Sequence, residues 1–275
     1  MQPNLYVLKS TLPKIKVLIA EDNEVNKLLV RRMLQHWGLA YKTASTGSEV
    51  VQLLKQEDFD VVLMDIQMPE KNGIEATEEI RNLADDTKKN VPIIALTANA
   101  LKGEEKKYLQ AGMNDYLTKP FKEKELFDVL ERVVSKSNIF GSRFIATKTT
   151  TPTSNNLAVN PENNLYDLTL INELASGNED FIKSLIQIFL DTIPATSKEL
   201  LEEVKNENWV QAGKLAHKLK STIDTMLIVS LKEDIRAIEM SGKTLTNLEQ
   251  VPALAQKTDE IITQVTAQLK ANFNL

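Results

Sequence analysis

The sequence predicts an α/β fold, a doubly wound five-stranded parallel sheet, joined in series to an all-α four-helix bundle. Three observations predict it. Short apolar runs alternate with helical patterns as far as Val134. A stretch rich in Thr, Ser, Asn and Pro then interrupts all periodicity. From Leu165 onward the apolar residues recur at helical spacing alone. The length of 275 residues also suits about two domains.

Each element has its own signal. The apolar runs Lys16–Ala20 (KVLIA), Val61–Asp65 (VVLMD), Pro92–Thr97 (PIIALT) and Asp115–Thr118 (DYLT) read as buried strands, with a weaker strand at Ala40–Ala44. Between them Glu24–His36, Ser48–Lys55, Ile74–Leu83, Leu101–Ala111 and Glu123–Val134 carry helical periodicity. Gly38 and Gly112 follow helical runs as stops, and Gly73 opens a helix after a turn. This places an α/β domain at 1–136 (core 14–134) and a flexible linker at 137–164. The bundle then occupies 165–275. In it Asp167 caps a short helix bearing Leu168, Ile171 and Leu174, and Ser176-Gly177-Asn178 breaks it. Glu179–Lys205 is a long amphipathic helix in which Pro194 is expected to place a kink. Asn208–Met226, Ser230–Met240 and Asn247–Phe273 complete four substantial helices.

Composition excludes several chemistries. There is no cysteine and there are two histidines, His36 and His217, so disulfides, thiolate metal sites and a three-histidine zinc site cannot form within one chain. The formal charge is −5. All of it falls on the bundle, with 11 basic and 16 acidic residues, whereas the first 164 residues balance at 22 of each. General affinity for nucleic acid or anionic membranes is not expected. No apolar run approaches the ~20 residues of a membrane span, and no signal peptide is evident, so a cytoplasmic location is expected. That location also fits the cytoplasmic tail of a membrane-bound sensor.

In a doubly wound sheet, ligands bind beyond the carboxyl ends of the strands. Strand one ends in Glu21-Asp22, strand three in Asp65, strand four in Thr97 and strand five in Lys119-Pro120. Three carboxylates on one rim repel unless a cation lies among them, and Mg2+ is the natural hard cation for oxygen ligands. Asp22 and Asp65 could ligate it directly, Glu21 through water, and the backbone carbonyl of Gln67 could add an oxygen. Lys119 and Thr97 are then placed to meet phosphoryl oxygens. A lone Asp, Thr or Lys at such a place is ordinarily a cap or a solvated residue, and Asn23 is most simply the cap of the first helix. The coincidence at separate strand ends favours a site.

The segments VLIAEDNEVN, VVLMDIQMPEKNGIEAT, PIIALTANA and AGMNDYLTKPF resemble the receiver domain of two-component response regulators, most of all receivers appended to hybrid sensor kinases. The likeness runs from about Lys14 to Val134. It implies a flavodoxin-like sheet, Asp65 as phosphoacceptor, Glu21 and Asp22 as the acidic pair for magnesium, and Lys119 as the phosphate-binding lysine. It also implies a cis peptide before Pro120, Thr97 as the hydroxyl that turns toward the phosphate, and Tyr116 as the aromatic switch.

His217 lies in WVQAGKLAHKLKSTIDTM. Ala212, Ala216, Leu219, Ile223 and Met226 form the apolar stripe of that helix, and His217 falls off it, among Gly213, Lys220, Ser221 and Asp224. The expectation is an accessible polar face, with Gly213 leaving room for an approaching protein and Lys220 offering charge to phosphoryl oxygens. Most isolated surface histidines have no such role. AHKLKST, however, resembles the phosphoacceptor motif of histidine-containing phosphotransfer (HPt) domains. One departure is Leu227, where a glycine is frequent in that family. His36, at a helix end beside Trp37, reads as a structural residue favoured by the helix dipole.

The resemblances together imply a phosphorelay protein. A sensor histidine kinase upstream would phosphorylate Asp65 with magnesium, His217 would carry the phosphoryl group, and a response-regulator receiver would lie downstream. Transfer within one chain and transfer between partners are both open. The alternatives are a response regulator with a protein-interaction output bundle, or the C-terminal fragment of a hybrid histidine kinase. A DNA-binding output is disfavoured by the acidic second half. A haloacid-dehalogenase phosphatase is disfavoured because Ile66-Gln67-Met68 follows Asp65. The ATP lobe of a kinase lacks its Gly-rich pattern here.

Overall fold

The computed structural model describes residues 14–98, 104–136, 164–175 and 177–275. The expected linker at 137–164 lies outside them save Asn164, as do residues 101–103 of the fourth expected helix.

The first part is a five-stranded parallel sheet: β1 (Lys16–Ala20), β2 (Ala40–Ala44), β3 (Val61–Asp65), β4 (Ile93–Thr97) and β5 (Asp115–Thr118), in the order β2-β1-β3-β4-β5. β1, β3 and β4 are almost wholly buried, as continuous apolar strands covered on both faces must be, whereas β2 at the edge alternates. The connections are α1 (Glu24–His36), α2 (Gly47–Gln56), α3 (Gly73–Arg81), a short α4 (Asp86–Lys89), α5 (Glu104–Gln110) and α6 (Glu123–Lys136). α4 is the one helix here that periodicity did not foresee; a single turn capped by Asp85 carries too few residues to show a period.

The caps follow ordinary chemistry. Asn23 Oδ1 accepts from the Asn26 N–H to start α1, and Asn72 with Glu75 forms a capping box on α3. Gly73 has a stricter reason to be glycine. A Cβ there would lie 2.2 Å from the Asp65 carbonyl oxygen, so only glycine lets α3 begin against the end of β3.

The helical part comprises α7 (Thr169–Ala175), α8 (Glu179–Lys205), α9 (Trp209–Thr225), α10 (Lys232–Thr244) and α11 (Val251–Phe273). α8 to α11 form the four-helix bundle. α8 stays helical through Pro194; the hydroxyls of Thr192 and Thr196 on either side donate to the Ile188 and Thr192 carbonyls. α10 begins and ends later than Ser230–Met240, because Val229–Leu231 forms a 3-10 turn before it and the Gly242 region packs as helix against α9.

The two parts share one apolar core. It runs from the α1–α6 side of the sheet, through Leu29, Val30 and Met33, into the bundle at Leu174, Phe181 and Leu185. α1 packs on α7, α8 and α9. The Arg32 guanidinium stacks 5.5 Å from the Phe181 ring centroid. A cavity of about 30 Å³ remains at this seam, between Leu29, Val30 and Met33 on one side and Leu170, Leu174 and Thr225 on the other.

Candidate phosphoryl-transfer site

The sheet register builds the acidic site. Ala20 pairs with Met64 and Asp65 with Leu96, so the residues leaving β1, the end of β3 and the end of β4 meet on one edge. Thr97 pairs with Thr118, and the Lys119 N–H donates to the Thr97 carbonyl at 2.7 Å, bringing the lysine to the same edge ahead of a cis peptide to Pro120. This edge is also where strand order reverses between β1 and β3, the switch point at which such sheets bind ligands.

One carboxylate oxygen from each of Glu21, Asp22 and Asp65 lies within 4.8 Å of the other two. Lys119 Nζ sits 2.7 Å from Asp65 Oδ2 and 2.5 Å from Glu21 Oε2. The Gln67 N–H donates to Asp65 Oδ1 at 3.2 Å. Glu21 Oε1 accepts from the Asn26 side chain and the Asn23 N–H. Burial pushes the Glu21 carboxyl up to about 8 against the pull of Lys119. Asp22 is raised by burial and by Asp65, and is opposed by Lys119, His217 and Lys218. Burial alone would depress the Lys119 ammonium, but Asp65 and Glu21 raise it above its usual range. Three hard oxygen donors crowded together, with Glu21 and Asp22 pushed up by burial, fit a magnesium ion, whose charge would relieve the repulsion among them.

Thr97 and Tyr116 each have a hydrogen-bond partner at the hydroxyl. Tyr116 is partly exposed, with its hydroxyl on Glu105 at 3.1 Å. The buried aromatic beside Thr97 is Tyr108, whose hydroxyl lies 3.0 Å from Thr97 Oγ1 and donates to Glu104 at 3.1 Å. The sequence does not signal this bond: an aromatic within a helical run reads as core, and Thr97 lies 11 residues before it.

His217 does not stand on an open face, contrary to the sequence expectation. Its side chain is 15 % exposed, and Lys220, Ser221 and Asp224 are buried. α10 covers one flank and α1 approaches another. Gly213 is likewise not a clearing. A Cβ there would meet the Gly242 Cα at 3.0 Å, so the two glycines let α9 and α10 cross closely. That crossing places Glu239 of α10, which the sequence did not single out, under the histidine. Its carboxylate accepts from His217 Nδ1 at 2.8 Å, from Lys220 Nζ at 2.5 Å and from Lys243. A carboxylate only accepts, so Nδ1 is the donor to Glu239, and in the neutral ring Nε2 carries the free lone pair. Burial works against charge on Glu239, yet His217 and Lys220 hold its carboxyl well below the ordinary 4.5. Burial lowers the Lys220 ammonium, and Glu239 resists the drop. His36 has a structural partner, Glu123, at 2.8 Å.

Residues 17–131 match the family model described as response regulator receiver domain. This part of the chain is a receiver domain. The likeness continues into the helices: over 246 residues, 89 % of this chain, the sequence is 32 % identical to the signal transduction histidine-protein kinase BarA of Escherichia coli. The alignment covers 26 % of that kinase, so this chain spans about a quarter of the length of such relatives. The sensor protein GacS of Pseudomonas syringae is 44 % identical over 116 residues, covering 42 % of this chain and 13 % of GacS. The solved receiver domain of the sensor histidine kinase PA1611 from Pseudomonas aeruginosa is 42 % identical. It covers 45 % of this chain and 99 % of that one at a TM-score of 0.42, and it has a magnesium ion coordinated in its active site cleft. Among the described residues no helix is long and apolar enough to cross a membrane.

Proposed function

We propose that the chain is a two-step phosphorelay element in which the bundle acts as an HPt domain. The receiver takes a phosphoryl group from the phosphohistidine of a sensor kinase onto Asp65, and His217 carries it on toward another receiver aspartate. One observation supports the in-chain step: α9 is seated against the receiver next to Asp22, where Asn23 Nδ2 donates to the Lys218 carbonyl and to Thr222 Oγ1. In cis, the linker at 137–164 keeps the two sites at high effective concentration.

Each residue has a task. Asp65 attacks the donor phosphorus in line, forming an acyl phosphate as the donor P–N bond breaks. Lys119, already on Asp65 Oδ2, pairs with a phosphoryl oxygen, and Thr97 donates to another. Glu21, Asp22, Asp65 and the Gln67 carbonyl would hold magnesium, which supplies positive charge to the phosphoryl oxygens. His217 Nε2 then attacks phosphorus, the bond to the Asp65 oxygen breaks, and the carboxylate is regenerated. The proton stays on Nδ1, donated to the Glu239 carboxylate, so the imidazole attacks neutral and its developing positive charge is balanced. Lys220 lies in the same ion cluster, ready to shift toward the incoming phosphoryl charge. Tyr116 remains the proposed switch residue, responding when Thr97 moves. The chain is read as part of a longer hybrid kinase acting at the cytoplasmic side.

The test is a transfer assay with a phosphorylated donor kinase. Wild type should accumulate alkali-stable phosphohistidine only when magnesium is present. Asp65→Asn should accept nothing from the donor, and His217→Gln should stop at alkali-labile phosphoaspartate. Alkali-stable label in His217→Gln would overturn the relay.

A further inference from the structure

Asn23 does two jobs with one amide. Its oxygen caps α1, accepting from the Asn26 N–H at 3.1 Å. Its Nδ2 crosses to the bundle, donating to the Lys218 carbonyl at 3.1 Å and to Thr222 Oγ1 at 3.0 Å. Asn23 is 4 % exposed and Thr222 is fully buried, so water cannot stand in for the bond between them. Lys218 and Thr222 are one turn apart on α9, and Lys218 directly follows His217. Asn23 directly follows Asp22. The amide therefore clamps the backbone next to the acceptor histidine to the residue next to the acidic site. Beside it Leu29, Val30 and Met33 share one apolar core with Leu170 and Leu174, which gives attraction without fixing a register. The directional bonds at the seam's inner end fix it.

We propose that Asn23 and Thr222 are the positioning pair for in-chain transfer: they set the height of α9 over the receiver, and so the distance from His217 Nε2 to a phosphoryl group on Asp65. The inference rests on the relay reading and adds a determinant to it. A misplacement of about 1 Å from a group outside the chemistry can cost on the order of a hundredfold in rate. Loss of a buried bond with its partner left unpaired weakens docking by about tenfold.

Asn23→Asp is the informative change. A carboxylate keeps the acceptor that caps α1 but cannot donate to Lys218 or Thr222. Thr222→Val removes the acceptor from the other side, with the receiver untouched, and Thr222→Ser restores it. The full chain is loaded with acetyl phosphate and magnesium, and phosphoaspartate and phosphohistidine are separated by their opposite stability to alkali. Wild type should pass the group to His217 at a rate unchanged on dilution. Thr222→Val should load Asp65 normally but transfer about tenfold more slowly, Thr222→Ser should transfer as wild type, and Asn23→Asp should transfer no faster than Thr222→Val. Adding Thr222→Val to Asn23→Asp should slow it little further, since both remove the same bond. Wild-type transfer by Thr222→Val would overturn the positioning role and leave the relay standing. No phosphohistidine in wild type would overturn the relay reading itself, and the pair with it.

Discussion

Glu239→Gln is expected to weaken the bundle and blunt transfer together. Glu239 is 5 % exposed and accepts from two ammonium groups, Lys220 and Lys243, and from the His217 ring. Lys243 has a side chain 45 % exposed, so its pair adds under about 1 kcal/mol. Lys220 has a side chain only 7 % exposed, and a buried ammonium stripped of its partner costs about 3–5 kcal/mol. The glutamine oxygen still accepts one bond, which returns part of this and leaves a loss of about 3 kcal/mol. For a bundle of this size that corresponds to a melting point lower by roughly 10–20 °C. Thermal unfolding followed by circular dichroism measures it. Adding Lys220→Met should recover most of the loss, because no uncompensated charge then remains. The pH dependence has a definite sign. The folded carboxyl of Glu239 is depressed, so its contribution is full above the ordinary 4.5 and is lost as pH falls below it toward the folded value. The gap between wild type and Glu239→Gln should therefore close on acidification. A Glu239→Gln protein that melts with wild type at neutral pH, or no recovery on adding Lys220→Met, would refute the argument.

Two further substitutions test the packing around the histidine. Leu227 holds φ 48° at the end of α9, where the Leu227 N–H donates to the Asp224 carbonyl and the Ile228 N–H to the Ile223 carbonyl, the closing pattern that favours glycine. Leu227→Gly is thus expected to raise stability by about 0.5–1 kcal/mol, since the leucine is partly exposed and loses little packing; a lower melting point would count against the strain. The glycine pair should respond unequally. A Cβ on Gly242 would stand 2.4 Å from the Trp209 carbonyl, so Gly242→Ala should cost about 1–3 kcal/mol, while Gly213→Ala, whose nearest atom is 3.0 Å away, should be milder. Equal melting points for the two would show that the α9–α10 crossing does not depend on this contact.

The receiver was legible because its signals are local. Each strand is a short apolar run ending in its own functional residue, and parallel topology alone brings those ends to one edge. Glu21, Asp22, Asp65, Thr97 and Lys119 meet as the register requires. Asn23 shows where such reading stops. Its capping role is written in the three residues after it, but its second bond goes to a residue 199 positions away, and no local pattern encodes that. Glu239 was hidden for the same reason. On its own helix it is one acid among polar neighbours, and it acquires meaning when Gly213 and Gly242 let α10 close on α9.

The misreading of the His217 face has a more general physical cause. Hydrophobic periodicity separates apolar surface from polar surface, and polar is then equated with solvent. Around His217 the polar residues are buried because their partners are polar too: Glu239 for the histidine and Lys220, Arg236 for Asp224, and Asn23 for Thr222. On the proposed relay, this face has to be of this kind. It must exclude water from an acyl phosphate, yet keep charges that a phosphoryl group can pair with, and an apolar seam beside a bonded polar patch meets both needs. The polar stripe that reads as a solvated face is also the one that can be satisfied by another charged site.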